Sequence, residues 1–275
     1  MLNKLSLNAN QVRNIVFAWS KVLACFLFIV LSSSFQYAPI EEIPVKIDDE
    51  LDRNRLVTLH SDEFSAFTNR IYRQIDYNGG DTISEDLLEK GLRGYMYLKQ
   101  TGALENPKYL TIIDFSKYCN TKRLWVIDME DKKVVFNELV AHGAKTGDEY
   151  AKYFSNTHSS NKSSLGFYAT GGLYYGSNDL SLKLHGLEKN FNSNAFTRGI
   201  VIHGANYVSN QLARGPQRIG RSFGCPAVSQ AVNKPLIETI KGGSCLFIYH
   251  PTVNYLENST IMNANLYLTV EDLSI

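Results

Sequence analysis

His203 and Cys225 lie twenty-two positions apart, each in a setting that suits nucleophilic catalysis: Ile202-His203-Gly204 and Arg221-Ser222-Phe223-Gly224-Cys225-Pro226. A thiol attacks as its thiolate, so a catalytic cysteine needs a base or a cation beside it and an accessible, tightly turned backbone. Gly220 and Gly224 bracket the approach with residues that reach backbone angles closed to others, and Pro226 fixes the exit. Pro226 has no N–H, so the donors for a developing oxyanion would be the amides of Phe223, Gly224 and Cys225. An isolated Cys and His read by default as a buried thiol and the polar end of a strand. A thiol meant only for packing needs none of the Gly-rich, Arg-flanked, Pro-terminated context.

Two further pairs, His142-Gly143 and His185-Gly186, follow strand-like runs in the same way, so spacing alone leaves three candidates for the base. Arg214, Arg218 and Arg221 make a basic approach to the thiol. Arg221, closest in sequence, could favour the thiolate or hold a substrate carboxylate, against the default of a solvated loop.

These residues resemble the L,D-transpeptidase (YkuD-type) family, in particular its murein L,D-transpeptidase catalytic domains. The family signature is a His-Gly followed downstream by Ser/Thr-His-Gly-Cys; His203-Gly204 match its first part and Ser222, Gly224 and Cys225 its second. Phe223 stands where most members carry a second His, and the gap from His203 to Cys225 is somewhat long. The likeness runs from about Pro107 to Tyr249, with Ser164-Leu165-Gly166-Phe167 in the place of the family's small substrate-side Gly-Phe motif. The resemblance implies Cys225 as nucleophile and His203 as base, with Gly204, Ser222 and Gly224 in the matched motifs; Ser222 and its neighbours Arg221 and Phe223 are placed on the substrate side by their positions before Cys225. It also implies a substrate: the peptidoglycan stem peptide. Cys225 would attack the bond after the third residue, expel D-Ala and form a thioester, which an amine resolves to a cross-link or water to a trimmed stem. No cofactor and no metal is implied.

The elements that must position these residues begin after a distinct N-terminus. Lys4, Arg13 and Lys21 precede the apolar run Val22 to Leu31, and Ser32-Ser33-Ser34 follows, the order of a secretory signal over 1–34. An uncleaved N-terminal anchor is the rival reading, and would be the chain's membrane contact. Cys25 sits too early in the run for a lipidation site. Export to the periplasm or cell envelope is the expectation. Residues 35–55, acidic and with Pro39 and Pro44, read as a linker. Residues 56–106 read as a small helical lobe. Ser61 caps one helix with Phe64, Phe67, Ile71 and Ile75 on a face, and Ser84 caps another with Leu87, Leu88, Leu92 and Tyr95 turned inward.

From residue 107 to 275 the pattern is that of the catalytic domain. Short β-rich runs span Leu110 to Phe115, Arg123 to Met129, Val134 to Val140, Leu180 to Leu184, Gly199 to His203 and Ser244 to Tyr249, with Glu130 to Lys133 as a hairpin turn. They predict a mainly β fold, a mostly antiparallel sheet packed on another, with one late helix over Lys234 to Ile240, and the resemblance implies an L,D-transpeptidase-like β-sandwich. Tyr174 and Tyr175 fall in a Gly-flanked loop. Cys119 with Cys245 is the only pairing that leaves Cys225 free, but neither has a spacing partner and both read as packed thiols; no Cys/His spacing reads as a zinc site.

Length of 275 residues with 44% hydrophobic and 20% charged residues is globular composition, and a net charge of +1 argues against a nucleic-acid partner. Two other readings stand beside the transpeptidase. A peptidase of wall stems of the NlpC/P60 type would place its Cys before its His, the reverse of the order here; an exported wall-binding protein with an inactive site would carry an unreactive thiol.

Overall fold

The computed structural model describes residues 56–58 and 61–269. The expected signal over 1–34 and linker over 35–55 lie outside the described residues. Short apolar runs here become ten strands: β1 (Leu56–Thr58), β2 (Tyr109–Asp114), β3 (Leu124–Asp128), β4 (Lys133–Glu138), β5 (Gly166–Gly176), β6 (Asp179–Gly186), β7 (Val201–Ala205), β8 (Ala227–Ser229), β9 (Cys245–Tyr249) and β10 (Tyr267–Thr269). β1 pairs with β10, and the other eight form one sheet in the order β4-β3-β2-β9-β5-β6-β7-β8. The mainly β expectation holds. Pairing is antiparallel except at β2–β9 and β7–β8, which are parallel.

The run of apolar residues without alternation in β9 marks a strand covered on both faces, and all five of its residues are buried. Two helices, α1 (Ser61–Gln74) and α2 (Glu85–Gln100), cover part of the sheet. Ser84 caps α2, its Oγ accepting from the Leu87 amide at 3.3 Å. α2 rides close on the sheet because it has no side chain at Gly94: a Cβ there would lie 2.0 Å from the Phe167 ring. That ring is itself stacked on Phe247 with centroids 4.2 Å apart. The faces expected for both helices, Phe64 to Ile75 and Leu87 to Tyr95, belong to the same core cluster as Ile112, Phe167 and Phe247.

Several elements differ from expectation. β5, the longest strand, occupies the segment read as a substrate-side motif and a tyrosine loop; its register shifts between Thr170 and Leu173, at Gly171-Gly172. The late helix α4 is Gln230–Ile240 and starts directly after β8. Two short helices, α3 (Asn210–Arg214) and α5 (Val253–Asn258), carry no strong sequence signal. The hairpin between β3 and β4 forms as read: Asp128 Oδ1 accepts from the amides of Glu130 and Asp131, and Lys132 takes φ 51°.

One feature of topology matters most for function. The chain beyond β4 crosses to the opposite edge of the sheet, where Ala141 bridges Ala227 and Gly143 bridges Ser222. The segment that follows β4 at one edge is therefore bridged to β8 at the other, and the joint is the segment that carries Cys225.

Candidate active site

Ser222 builds the turn before Cys225. Its Oγ accepts from the Gly224 amide at 3.0 Å and donates to the Cys225 carbonyl at 2.6 Å. Its backbone is held too, the amide on His142 O at 3.0 Å and the carbonyl on the Ala144 amide at 2.7 Å. Gly224 takes φ 128°, and a side chain there would lie 2.8 Å from Lys162 O. Ser163 Oγ donates to the Gly224 carbonyl at 3.1 Å. The turn is thus clamped between the 142–144 and 162–163 segments.

Pro226 leads from this turn into β8, whose parallel register with β7 sets Ala227 opposite His203 and Val228 opposite Gly204. Cys225 is two residues before Ala227, so the two expected partners arrive on neighbouring strands. Sheet register closes the twenty-two-residue gap. The His203 ring is buried, with Nδ1 2.9 Å from Gly204 O. A carbonyl only accepts, so Nδ1 carries the proton and Nε2 keeps its lone pair. Burial holds the imidazole below its ordinary range, and the ring is neutral at pH 7.

The Cys225 thiol is half-buried, and its hydrogen-bond partner in this structure is the Gly199 carbonyl, 3.7 Å from Sγ, rather than the imidazole. Burial pushes the thiol up, while the Val201 backbone amide and the Arg198 charge pull it back. At neutral pH the site therefore holds a protonated thiol and a neutral imidazole. Of the three amides expected to face an oxyanion, that of Gly224 is already taken by Ser222 Oγ. Those of Phe223 and Cys225 have no hydrogen-bond partner among the described residues.

Arg198 is the cation in the field of the sulfur, and sequence reasoning passed it over. Its guanidinium donates to Ser155 O (2.7 Å), Ser160 Oγ (3.2 Å), Lys162 O (2.7 Å) and Ser164 Oγ. All four acceptors are neutral, and no carboxylate pairs with it among the described residues. Arg221, the expected cation, instead donates from Nη1 to Ala144 O (3.1 Å) and Gly147 O (2.7 Å) and lies 3.4 Å from Asp148 Oδ1. Arg218 shares that carboxylate. Phe223 stands 80% exposed in the turn, an aromatic ring without a ring partner among the described residues.

The other His-Gly pairs separate clearly. His142 is buried, its Nδ1 accepting from Arg123 Nη2 at 2.9 Å and its Nε2 facing Gly147 O at 3.4 Å. Burial first, and the Arg123 charge second, lower it to about 4. Both nitrogens are engaged in holding the joint of the sheet. His185 is exposed on β6 and stacks on Phe196 with centroids 4.9 Å apart. Of the Gly-Phe motif, both Gly166 and Phe167 are buried, so they serve the core. Cys119, Cys225 and Cys245 are all free thiols, the first and last buried. Among the described residues no group of His, Cys, Asp and Glu converges as metal ligands would.

A family model described as an L,D-transpeptidase catalytic domain matches residues 80–249. The chain belongs to the L,D-transpeptidase family. The match holds β2 to β9 together with the whole turn around Cys225, and it ends before α5. No curated protein is similar in sequence to the chain. Among solved structures, an L,D-transpeptidase from Mycobacterium smegmatis is 12% identical, with 52% of this chain and 59% of that one covered at a TM-score of 0.34. The helical cell shape determining protein Pgp2 from Campylobacter jejuni is 15% identical, with 58% and 56% covered at 0.36. An L,D-transpeptidase from Xylanimonas cellulosilytica is 17% identical, with 71% and 96% covered at 0.29. This L,D-transpeptidase chain thus spans about three fifths of the length of the first two. At these scores the structural likeness adds nothing to the family match.

Proposed function

We propose that the chain is an exported peptidoglycan L,D-transpeptidase whose nucleophile is Cys225 and whose base is His203. The observation that supports the reading is the β7–β8 register, which pairs His203, its tautomer fixed by the Gly204 carbonyl, with Ala227, two residues after Cys225. When a stem peptide enters, the S–H proton leaves the Gly199 carbonyl and passes to His203 Nε2 as sulfur attacks the carbonyl of the third residue. The C–S bond forms, and the carbonyl electron pair moves onto oxygen. The free amides of Phe223 and Cys225 are the donors that receive it. Collapse breaks the C–N bond, and the imidazolium returns its proton to the departing D-Ala amine. The thioester is then resolved by an amine from a second stem, giving a cross-link, or by water, giving a trimmed stem, with His203 as base again.

Gly204 serves this chemistry through its carbonyl, which orients the imidazole, and Gly224 and Ser222 by fixing the turn. Arg198 supplies the positive field that favours the thiolate as it forms. Arg221 keeps the 144–148 loop in place and leaves Nη2 for a stem carboxylate. The exposed Phe223 ring covers the acyl group and limits water. No helix among the described residues is long and apolar enough to cross a membrane; the N-terminal segment is the proposed route to the envelope.

The test is trapping. Incubated with a carbapenem, whose strained acyl group stands in for the donor peptide bond, the chain should gain one adduct by intact-mass spectrometry. Cys225→Ala should gain none. An adduct that persists in Cys225→Ala, or none on the unaltered chain, rejects the nucleophile. Muropeptide analysis after incubation with tetrapeptide stems then separates cross-linking from trimming.

A further inference from the structure

A cleft of about 560 Å³ lies beside the 152–165 segment, and neither Cys225 nor His203 lines it. One wall carries Lys152, Tyr153 and Lys162, and the other includes Asn190 and Asn254. The second wall lies partly on α5, beyond the family match at residue 249. It is firmly built. The buried Glu188 carboxylate accepts from Tyr255 Oη at 2.9 Å and from Ser259 Oγ, and ties both to the Phe167 amide at 2.7 Å on β5. Tyr255 in turn packs edge-on against Phe191, at 4.9 Å between centroids.

The cleft's chemistry is one-sided. No Asp or Glu lines it, and Lys152 and Lys162 have no carboxylate partner among the described residues. The Tyr153 ring is 60% exposed, with Lys162 Nζ 5.6 Å from its centroid. Asn190 and Asn254 are exposed, and Asn254 Oδ1 receives only Asn258. Amides both donate and accept, as sugar hydroxyls and acetamido groups require; an aromatic face covers the C–H side of a pyranose; ammonium groups take carboxylates. The cleft is also next to the thiol's turn through one residue. Lys162 lends its side chain to the cleft, while its carbonyl meets Gly224 and accepts from Arg198.

We propose that this cleft binds the aminosugar chain that bears the stem peptide, with Tyr153, Asn190 and Asn254 on the sugar and Lys152 and Lys162 on stem carboxylates. The proposal rests on the peptidoglycan reading of Cys225 and deepens it. Two stem residues separate the sugar from the third, an extended span of about 7 Å before the linking group is added. Lys162, which lines the cleft and whose carbonyl lies against the Gly224 turn, is the point at which the stem would pass from the cleft towards the thiol.

The experiment uses the Cys225→Ala chain, so that nothing reacts, and calorimetry with two ligands: a disaccharide-tetrapeptide and the same tetrapeptide without sugars. The disaccharide should bind at least about tenfold more tightly. That gain should vanish in Tyr153→Ala/Asn254→Ala, with thermal midpoints reporting that the variant is folded. Equal affinity of the two ligands, or no measurable binding of the disaccharide, overturns the proposal. So does a gain that survives in the folded variant. The carbapenem adduct is the independent reading of Cys225: a chain that is acylated but does not prefer the disaccharide rejects the cleft alone. One that prefers the disaccharide through Tyr153 and Asn254 but is never acylated supports the cleft and rejects the enzyme.

Discussion

Alkylation of Cys225 by iodoacetamide reports the thiolate directly, and the structure fixes how its rate should vary with pH. Burial outweighs the Val201 amide and the Arg198 charge, leaving the thiol above its ordinary value. With that ordinary value at about 8.5, no more than about 3% of the thiol is ionised at pH 7. The rate should then climb close to tenfold per pH unit from about 6 to about 8 and continue to rise past 8.5. Cys119 and Cys245 are buried, so with Cys25 replaced by Ser a single adduct followed by mass spectrometry reads one site. Arg198→Met removes the cation that pulls the thiol down and should slow alkylation near pH 7.5 by roughly threefold or more. Arg198→Lys keeps the charge but cannot fork to four oxygens, so it separates the field from the clamp: a field effect is restored by Lys, and a purely structural one is not. A rate plateau below pH 6 would mean a preformed thiolate–imidazolium pair. In that case the order of proton transfer derived from the buried neutral His203 is wrong.

Three further outcomes follow from the same geometry. His203→Asn should slow carbapenem acylation nearly as much as loss of Cys225, on the order of 10⁴-fold or more, while His185→Asn, on an exposed ring stacked on Phe196, should leave most of the rate; the reverse result would move the base to β6. Phe223→Ala should shift products from cross-linked dimer towards hydrolysed stem at fixed acceptor concentration, with acylation little changed, and an unaltered ratio would reduce the ring to a bystander. Acid should destabilise the fold through His142. Its pKa is depressed to about 4 in the folded state, so the stability it confers is present above about 6.5 and is lost as pH falls towards 4, on the order of 3 kcal/mol in all. Urea midpoints measured across that window should fall for the unaltered chain. His142→Asn, less stable throughout, should lack that part of the slope, and an identical slope in both chains would place the titration elsewhere.

What the sequence made legible follows from where each signal is stored. β2, β3, β4 and β9 are read correctly because an apolar run or a hairpin turn is a local property, and the α1 and α2 faces because helical spacing is one too. β5 is not, since Gly171-Gly172 and the tyrosines around them look like a loop until β9 and β6 pair on either side. The parallel pairing of β2 with β9 joins segments distant in the chain, which no local pattern encodes. The destination of the two helices is of the same kind: their inward faces are visible, but not that Gly94 would seat α2 against Phe167.

The candidate site divides along the same line, and the arginines show it best. Arg221 stands four residues from Cys225 in sequence and attracts notice for that reason. Its charge, however, is met by Asp148, a residue supplied by a different loop and shared with Arg218. Arg198 carries no signal in its own neighbourhood, a Thr-Arg-Gly turn ahead of β7. Its partners come from residues 155–164, and all are neutral oxygens that orient the guanidinium without cancelling it. A cation acts at a distance only to the extent that nothing nearby neutralises it. Proximity in the chain therefore points to an arginine whose charge is already met, and the distribution of carboxylates in the fold points to Arg198 as the unpaired cation near the sulfur. By the same reasoning, an acidic residue introduced beside Arg198, at Ser160 for instance, should blunt Cys225 far more than one introduced beside Arg221, where Asp148 already stands.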